Sequence, residues 1–347
     1  MNAAEYLLAL PKTELHCHFT STMDAALLIS LADREGIELP TTDPAHLFDY
    51  DNLADFLTAF QMANRSLTRR DDFARVAYDG VRAAAPLGLR YREYYVNPQY
   101  FAPNGLGYRD VIEPIIDGLT AARADFGIDF RIVVAINRRE GARAAVELAE
   151  MVLANRYDAV AGFGQDDLTP ELTEDPGRFA EAYAVARNGG LRLTAHVGER
   201  PEDPVDNIRV AMDELRVDRI DHGYQIAHSA ELTARARDSQ IPFACTPIST
   251  TICSGYAITP QHPIAAMVRA GLNVSFSTDD AVFFNTDISR EFTDALPALG
   301  LSLDDADRIA LAGIDGAFLD EDAKASLRAS FVTDIAAARR GLAPLNN

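Results

Sequence analysis

The chain has 347 residues, and its 32 Lys+Arg against 52 Asp+Glu leave a formal charge of −20. Nucleic acids and anionic membranes are gripped by basic patches, which this acidic chain lacks, so neither is an expected partner. A 48% apolar share is enough to bury a sizeable core, and disorder as the main state is excluded.

In chain order, the first strand is expected over residues 14–19. The stretch 23–86 that follows is too long for one crossover helix and holds at least three helical patterns, one of them over 51–60. Strand and helix patterns then alternate. Strands are expected at 89–96, 129–136, 159–164, 191–197, 217–224, 241–247 and 272–277. Helices are expected at 109–126, 139–155, 175–188, 205–215, 229–239 and 262–270. The run from Phe130 to Ile136 is nearly continuous in apolar residues, as a parallel strand covered on both faces requires. Pro176 suits a first helical turn, Ser229 an N-cap, and Gly189-Gly190 and Gly271 helix stops. Eight strands, each followed by a helix or long loop, count to an α/β fold of the (β/α)₈ TIM-type barrel class. A doubly wound sheet would want a glycine-rich phosphate loop after the first strand, and His16-Cys17-His18-Phe19-Thr20-Ser21 has no glycine. The expectation is one domain over 1–347, with 23–86 as a helical insertion over the barrel mouth. A packing subdomain and a lid both fit that insertion.

His16 and His18 lie two apart on the first strand, so the pleat aims both at one face and Cys17 at the other. His196 stands near the end of the fifth strand and His222 ends the sixth. The eighth ends in Ser277-Thr278-Asp279-Asp280. A lone strand histidine is most often a satisfied core residue. Four strands delivering His or Asp to one C-terminal rim are different, because catalytic groups of such barrels collect there. Three neutral imidazoles and a carboxylate suit a divalent cation such as Zn²⁺, with one position open to water. His46, His228 and His262 sit at or near helix openings and read as structural.

Four runs together resemble the adenosine deaminase family of the amidohydrolase superfamily. They are Pro11-Lys12-Thr13-Glu14-Leu15-His16-Cys17-His18, Ala195-His196-Val197-Gly198-Glu199, Arg219-Ile220-Asp221-His222-Gly223 and Ser277-Thr278-Asp279-Asp280. The resemblance covers most of the chain, and it implies a metal-dependent hydrolytic deaminase on the barrel already argued. It also implies His16, His18, His196 and Asp279 as ligands of one divalent ion, zinc first. Glu199 would shuttle a proton at ring N1 of a purine, His222 would orient the attacking hydroxide, and Asp280 would hold N7. The chemistry is coherent in itself. A bound metal brings the pKa of water to about 7, and a carboxylic acid must protonate the ring as aromaticity breaks.

The substrate-reading positions depart from the family pattern. Thr20 stands where nucleoside members carry an acid that grips a sugar hydroxyl. Gln165 replaces a glycine that approaches the purine, and Asp166 follows it. Thr20, Gln165 and Asp166 are therefore the expected substrate-binding positions, with reaction type better defined than substrate. An adenine-type base or nucleoside leads. A modified adenosine, an aminodeoxyfutalosine-like nucleoside or a pterin would use the same mechanism, and a non-catalytic binding protein on this scaffold is the remaining class. The acid-rich rim is expected to disfavour phosphate-bearing substrates.

Three cysteines, Cys17, Cys245 and Cys253, are too few for a disulfide framework. Residues 1–11 lack the basic region of a secretory signal, and no apolar run approaches the roughly 18 residues of a membrane span. A reducing cytoplasm is the expected compartment.

Overall fold

Eight strands run parallel, each hydrogen-bonded to the next in sequence, in a computed structural model that describes residues 1–50 and 53–342. They are β1 (Lys12–His18), β2 (Leu89–Val96), β3 (Asp129–Asn137), β4 (Val160–Asp166), β5 (Arg192–Val197), β6 (Arg219–His222), β7 (Pro242–Cys245) and β8 (Asn273–Phe276). The ring closes beyond β8, where Asp279 bridges to Cys17 of β1. Its N–H donates to His16 O at 3.0 Å and its carbonyl accepts from His18 N at 2.8 Å. The expected (β/α)₈ barrel is the fold. β6, β7 and β8 are shorter than their apolar runs, because the chain turns out of the ladder as it reaches the rim. His222 and Asp279 both take positive φ there, at 65° and 66°. For non-glycine residues that conformation is uncommon and marks a constrained site.

The helices fall close to their patterns, with Tyr108–Phe126, Gly141–Ala154, Ala180–Asn188, Ala230–Ser239 and Pro263–Arg269 on the outside. Pro176 opens a 3₁₀ turn ahead of Ala180–Asn188, and Ser229 Oγ caps its helix by accepting from Leu232 N at 3.2 Å. The stretch 205–215 is a five-residue α-helix, Asp206–Val210, that widens into a π-turn over Ala211–Leu215. The insertion contributes Ala25–Glu35, Leu53–Ser66 and Arg70–Ala84; of the 51–60 pattern, Asp51 and Asn52 lie outside the described residues. Arg70–Ala84 packs along Tyr108–Phe126, while Leu53–Ser66 sits at the mouth. Helices outside the sequence expectation include Ala3–Ala9, Leu303–Gly316 and Glu321–Gly341, with short ones at Thr250–Cys253, Ile288–Arg290 and Leu296–Ala298. Among the described residues no helix is long and apolar enough to cross a membrane.

One apolar core fills the space between strands and helices, and two smaller clusters plug the barrel from below. Phe318, in the turn between the two C-terminal helices, enters the barrel against Tyr95, Val133 and Ala135. Glycine at 162 makes room for it, since a Cβ there would lie 2.7 Å from the Phe318 ring and 2.9 Å from Val133. Above this plug the interior turns polar around Arg219, which is fully buried. Its guanidinium donates to Glu93 at 2.6 Å, to the carbonyls of Leu15 and Gly316 at 3.0 Å each, and to Asp221 at 3.3 Å, and it stacks on Phe318 at 4.3 Å.

This polar layer gives a stability prediction. Arg219→Ala strips the counter-charge from two buried carboxylates, Glu93 and Asp221, a change that typically costs about 3–5 kcal/mol. Urea unfolding should show the midpoint falling accordingly at unchanged m; a loss under about 1 kcal/mol would mean that the layer is not held by this charge.

Candidate active site

The strand ends bring His16, His18, His196 and Asp279 together, with one donor atom from each within 4.8 Å of the others. Asp279 Oδ1 lies 3.1 Å from His16 Nε2 and 3.2 Å from His18 Nε2, and His196 Nε2 lies 3.3 Å from His18 Nε2. The other carboxylate oxygen of Asp279 accepts from Ser249 Oγ at 2.6 Å, which leaves Oδ1 turned to the imidazoles. Both nitrogens of His16 and Nδ1 of His196 are buried with no hydrogen-bond partner. Buried polar nitrogens are expensive to leave unsatisfied, and several converging lone pairs are what a divalent cation takes. The electrostatics agree in sign. Burial holds His196 well below its ordinary pKa, the neutral state a ligand needs. His18 is pushed up to about 10, because Asp280, Asp279 and Asp166 outweigh the opposing effect of its burial. A surplus of carboxylate that draws a proton onto His18 is the field that a cation would neutralise. The donor set fits one divalent ion.

Behind this cluster stands Asp221, whose two oxygens lie 3.9 Å from His16 Nδ1 and 3.5 Å from His196 Nδ1. Thr194 Oγ1 donates to it at 2.5 Å, and Tyr95 and Arg219 donate as well. Burial opposes its ionisation, but Arg219, His196 and His16 hold its pKa well below the usual carboxylate range. A carboxylate behind metal-binding imidazoles fixes their rings and raises their basicity.

His222 presents Nε2 to the cavity, 3.7 Å from Glu199 Oε2, while its Nδ1 is fixed by Tyr224 OH at 3.1 Å and Thr246 Oγ1 at 3.4 Å. Burial and the neighbouring His16 lower its pKa to about 3, so the ring is neutral at physiological pH. Glu199 follows Gly198, whose φ of 63° turns the chain out of β5. The Glu199 side chain keeps 22% exposure, and burial together with the negative charges of Asp279, Glu174 and Asp203 pushes its pKa well above 4.5. Asp280, whose Oδ1 accepts from Ser21 Oγ, is also raised, chiefly by burial.

These groups line one cavity of about 310 Å³, which Phe56, Leu57 and Phe60 of the insertion wall on one side and Tyr100 and Leu168 on another. Asp166 is in the wall, its Oδ1 accepting from Asn97 at 2.6 Å. The other two expected substrate-binding positions are not. Thr20 is buried beside it and donates to Asn64 Oδ1 at 2.7 Å. Gln165 is fully buried, and its Oε1 accepts from Arg138 Nε at 3.1 Å. Arg138 in turn donates to the Asp167 carbonyl at 2.7 Å and to the carbonyl of His196, so Gln165 acts on the ligand loop through an intermediary. His262 caps its helix through Ile264 N at 3.1 Å, and His46 pairs at the surface with Asp49. Sequence reasoning passed over Ser249, Arg138 and Asp221, although Asp221 sits beside His222 with the parity that points it inward.

The family model described as adenosine deaminase matches residues 11–334. Adenine deaminase of Albidiferax ferrireducens is 30% identical over 323 residues, covering 92% of each chain, and that of Bordetella avium is 32% identical, covering 88% of this chain and 96% of its own. A zinc-bound amidohydrolase from Burkholderia ambifaria superposes with a TM-score of 0.89 at 32% identity, over 98% of this chain and 95% of that one. The N6-mAMP deaminase of Arabidopsis does so at 0.81 and 25% identity, over 95% and 99%.

The carboxylate behind the ligands can be tested without turnover. Asp221→Asn should weaken zinc about 10- to 100-fold in competition with a chromophoric chelator. An unaltered affinity would remove Asp221 from this role.

Proposed function

The chain belongs to the adenosine deaminase family and is a hydrolase acting on carbon–nitrogen bonds, and from that premise we propose that it removes the exocyclic amine of free adenine. His16, His18, His196 and Asp279 would hold one divalent ion, with zinc first. That ion supplies Lewis acidity, which brings the pKa of water from 15.7 to about 7. The chain's own groups do the rest. Glu199 donates a proton to N1 of the base, so the amine-bearing carbon can accept an oxygen nucleophile without building charge on the ring. His222, neutral and fixed at Nδ1, turns Nε2 to the incoming oxygen and orients it. Asp280 faces N7 with its raised carboxyl acting as hydrogen-bond donor. Glu199 then receives one proton of the attacking water and passes it to the amine, which leaves as ammonia, and the second water proton returns to Glu199 as the carbonyl forms. Phe56, Phe60 and Tyr100 supply the apolar walls that limit competing water.

The single observation carrying this reading is Glu199, an acid whose pKa burial and the neighbouring Asp279 push upward, 3.7 Å from His222 in the same cavity as His18, His196 and Asp279. A purine presents two ring acceptors to such a site, and Glu199 and Asp280 are the two acids that meet them.

Two features favour the free base. Thr20 spends its hydroxyl on Asn64 outside the cavity wall, which leaves no acid there for a sugar hydroxyl. Six carboxylates line the cavity against three arginines, and each arginine is engaged. Arg138 is held by carbonyls and Gln165, Arg139 by Asp167 at 2.9 Å, and Arg200 by Asp203 at 2.7 Å. The Arabidopsis relative carries a nucleoside monophosphate in its name; here each arginine among the described lining residues is already engaged within the protein.

Glu199→Gln should lower kcat by about 10²–10⁴ with bound metal retained, and unimpaired turnover would take Glu199 out of the mechanism. The pH profile has a definite sign. Because the donor must be protonated, kcat should persist far above pH 4.5 and fall as pH rises through the elevated pKa of Glu199, a limb absent from the Gln variant. Across adenine, adenosine and AMP, kcat/KM should favour adenine over AMP by about 10² or more, the scale set by like-charge juxtaposition. AMP turnover equal to that of adenine would overturn the choice of substrate.

A further inference from the structure

We infer that Glu174 is a positioning residue for the proton-transfer step, acting through the backbone of Glu199. It lies in the loop between β4 and helix Ala180–Asn188, far from β5 in sequence, yet its carboxylate is buried in the cavity wall. Oε2 accepts from Gly198 N at 2.8 Å and from Asn207 Nδ2 at 2.6 Å, and Oε1 accepts from Glu199 N at 3.2 Å. Both oxygens are therefore used on two consecutive amides. One carboxyl group thus fixes the direction of both amides.

The need for such an anchor follows from where β5 ends. The carbonyls of Val197 and Gly198 are taken by the amides of Gly223 and Gln225 from the β6 side. The amides of Gly198 and Glu199 have no strand to meet, and Glu174 is their acceptor. The same segment is pinned elsewhere by side chains: Ser254 Oγ donates to Glu199 O at 3.0 Å, and Gln225 Nε2 donates to Arg200 O at 2.8 Å. A Cβ on Gly198 would meet Ile208 at 3.0 Å and Gln225 at 3.3 Å, so the turn is confined from both sides. The Glu199 carboxylate itself makes no hydrogen bond among the described residues, lying 3.7 Å from His222 Nε2 and within 4.8 Å of Cys253 Sγ and an Asp279 oxygen. Its placement is thus inherited from the backbone, and a shift of the backbone transfers directly to the distance between acid and ring nitrogen. A glutamine at 174 has one acceptor oxygen for two amides and turns its own N–H₂ against the other, which loosens the anchor without removing the side chain.

The inference rests on the reading of Glu199 as proton donor, and a double-mutant cycle separates the two. Wild type, E174Q, E199Q and the double variant are compared for kcat and KM on adenine and for bound zinc. E174Q should lower kcat on the order of 10²-fold, the effect of misplacing a catalytic group by about an ångström, with KM and metal content kept. In the E199Q background the same change should cost no more than about twofold, since the group it positions is gone. An equal factor in both backgrounds, or loss of zinc, would overturn the inference and leave Glu174 a structural residue. E199Q with wild-type turnover would instead defeat the donor reading. If E174Q does not fold, E174D keeps the charge on a shorter arm and takes its place in the cycle. Failure of both to fold also assigns Glu174 to structure and overturns the inference.

Discussion

The bridge at Asp279 is the constraint on which the rest of the molecule depends. β8 stops at Phe276, and the ring of strands is completed by a residue beyond it, whose N–H and C=O bond on either side of Cys17. To reach both, the backbone at 279 adopts a left-handed conformation that a non-glycine residue takes at a cost. The side chain is thereby thrown inward onto His16 and His18, which belong to the very strand being bridged. Barrel closure and ligand geometry are one event. The family's motifs at the first and eighth strands are far apart in sequence, but they meet through two backbone hydrogen bonds.

Below the ligands, charge is organised in depth. Glu93, Arg219 and Asp221 form a buried sequence of alternating sign, and Asp221 passes its charge to the outer nitrogens of His16 and His196. Such charges are tolerated because every one has a partner and directional donors. The upper cavity is different, because its lining carboxylates outnumber its arginines, a surplus that a divalent ion on the histidine cluster would reduce.

How much of this was legible depended on how local each signal was. The barrel could be read from eight apolar runs because a buried parallel strand imposes its composition on consecutive residues. The histidines could be read because β-pleating fixes the face of His16 and His18, and Glu199 because it follows His196 on the same strand end. Thr20 and Gln165 could not be placed, since their directions are decided by Asn64 and Arg138, partners 44 and 27 residues away. Glu174 carried no pattern either: its meaning lies in two amides left over where β5 stops. The C-terminal helices escaped for a simpler reason. Ser302 with Asp305 is a capping box that marks the first of them, but the strand count was already complete without it.

The turn that carries Phe318 links the far end of the barrel to the chemistry at its mouth. Arg219 holds Gly316 O with the same guanidinium that holds Asp221, so one planar cation spans the interior from the C-terminal turn to the groups behind the metal ligands. Any movement of the C-terminal turn therefore falls on the same guanidinium that fixes the carboxylate behind the histidine cluster. The C-terminal helices thus share one buried cation with the polar layer beneath the cavity, although none of their described residues lines it.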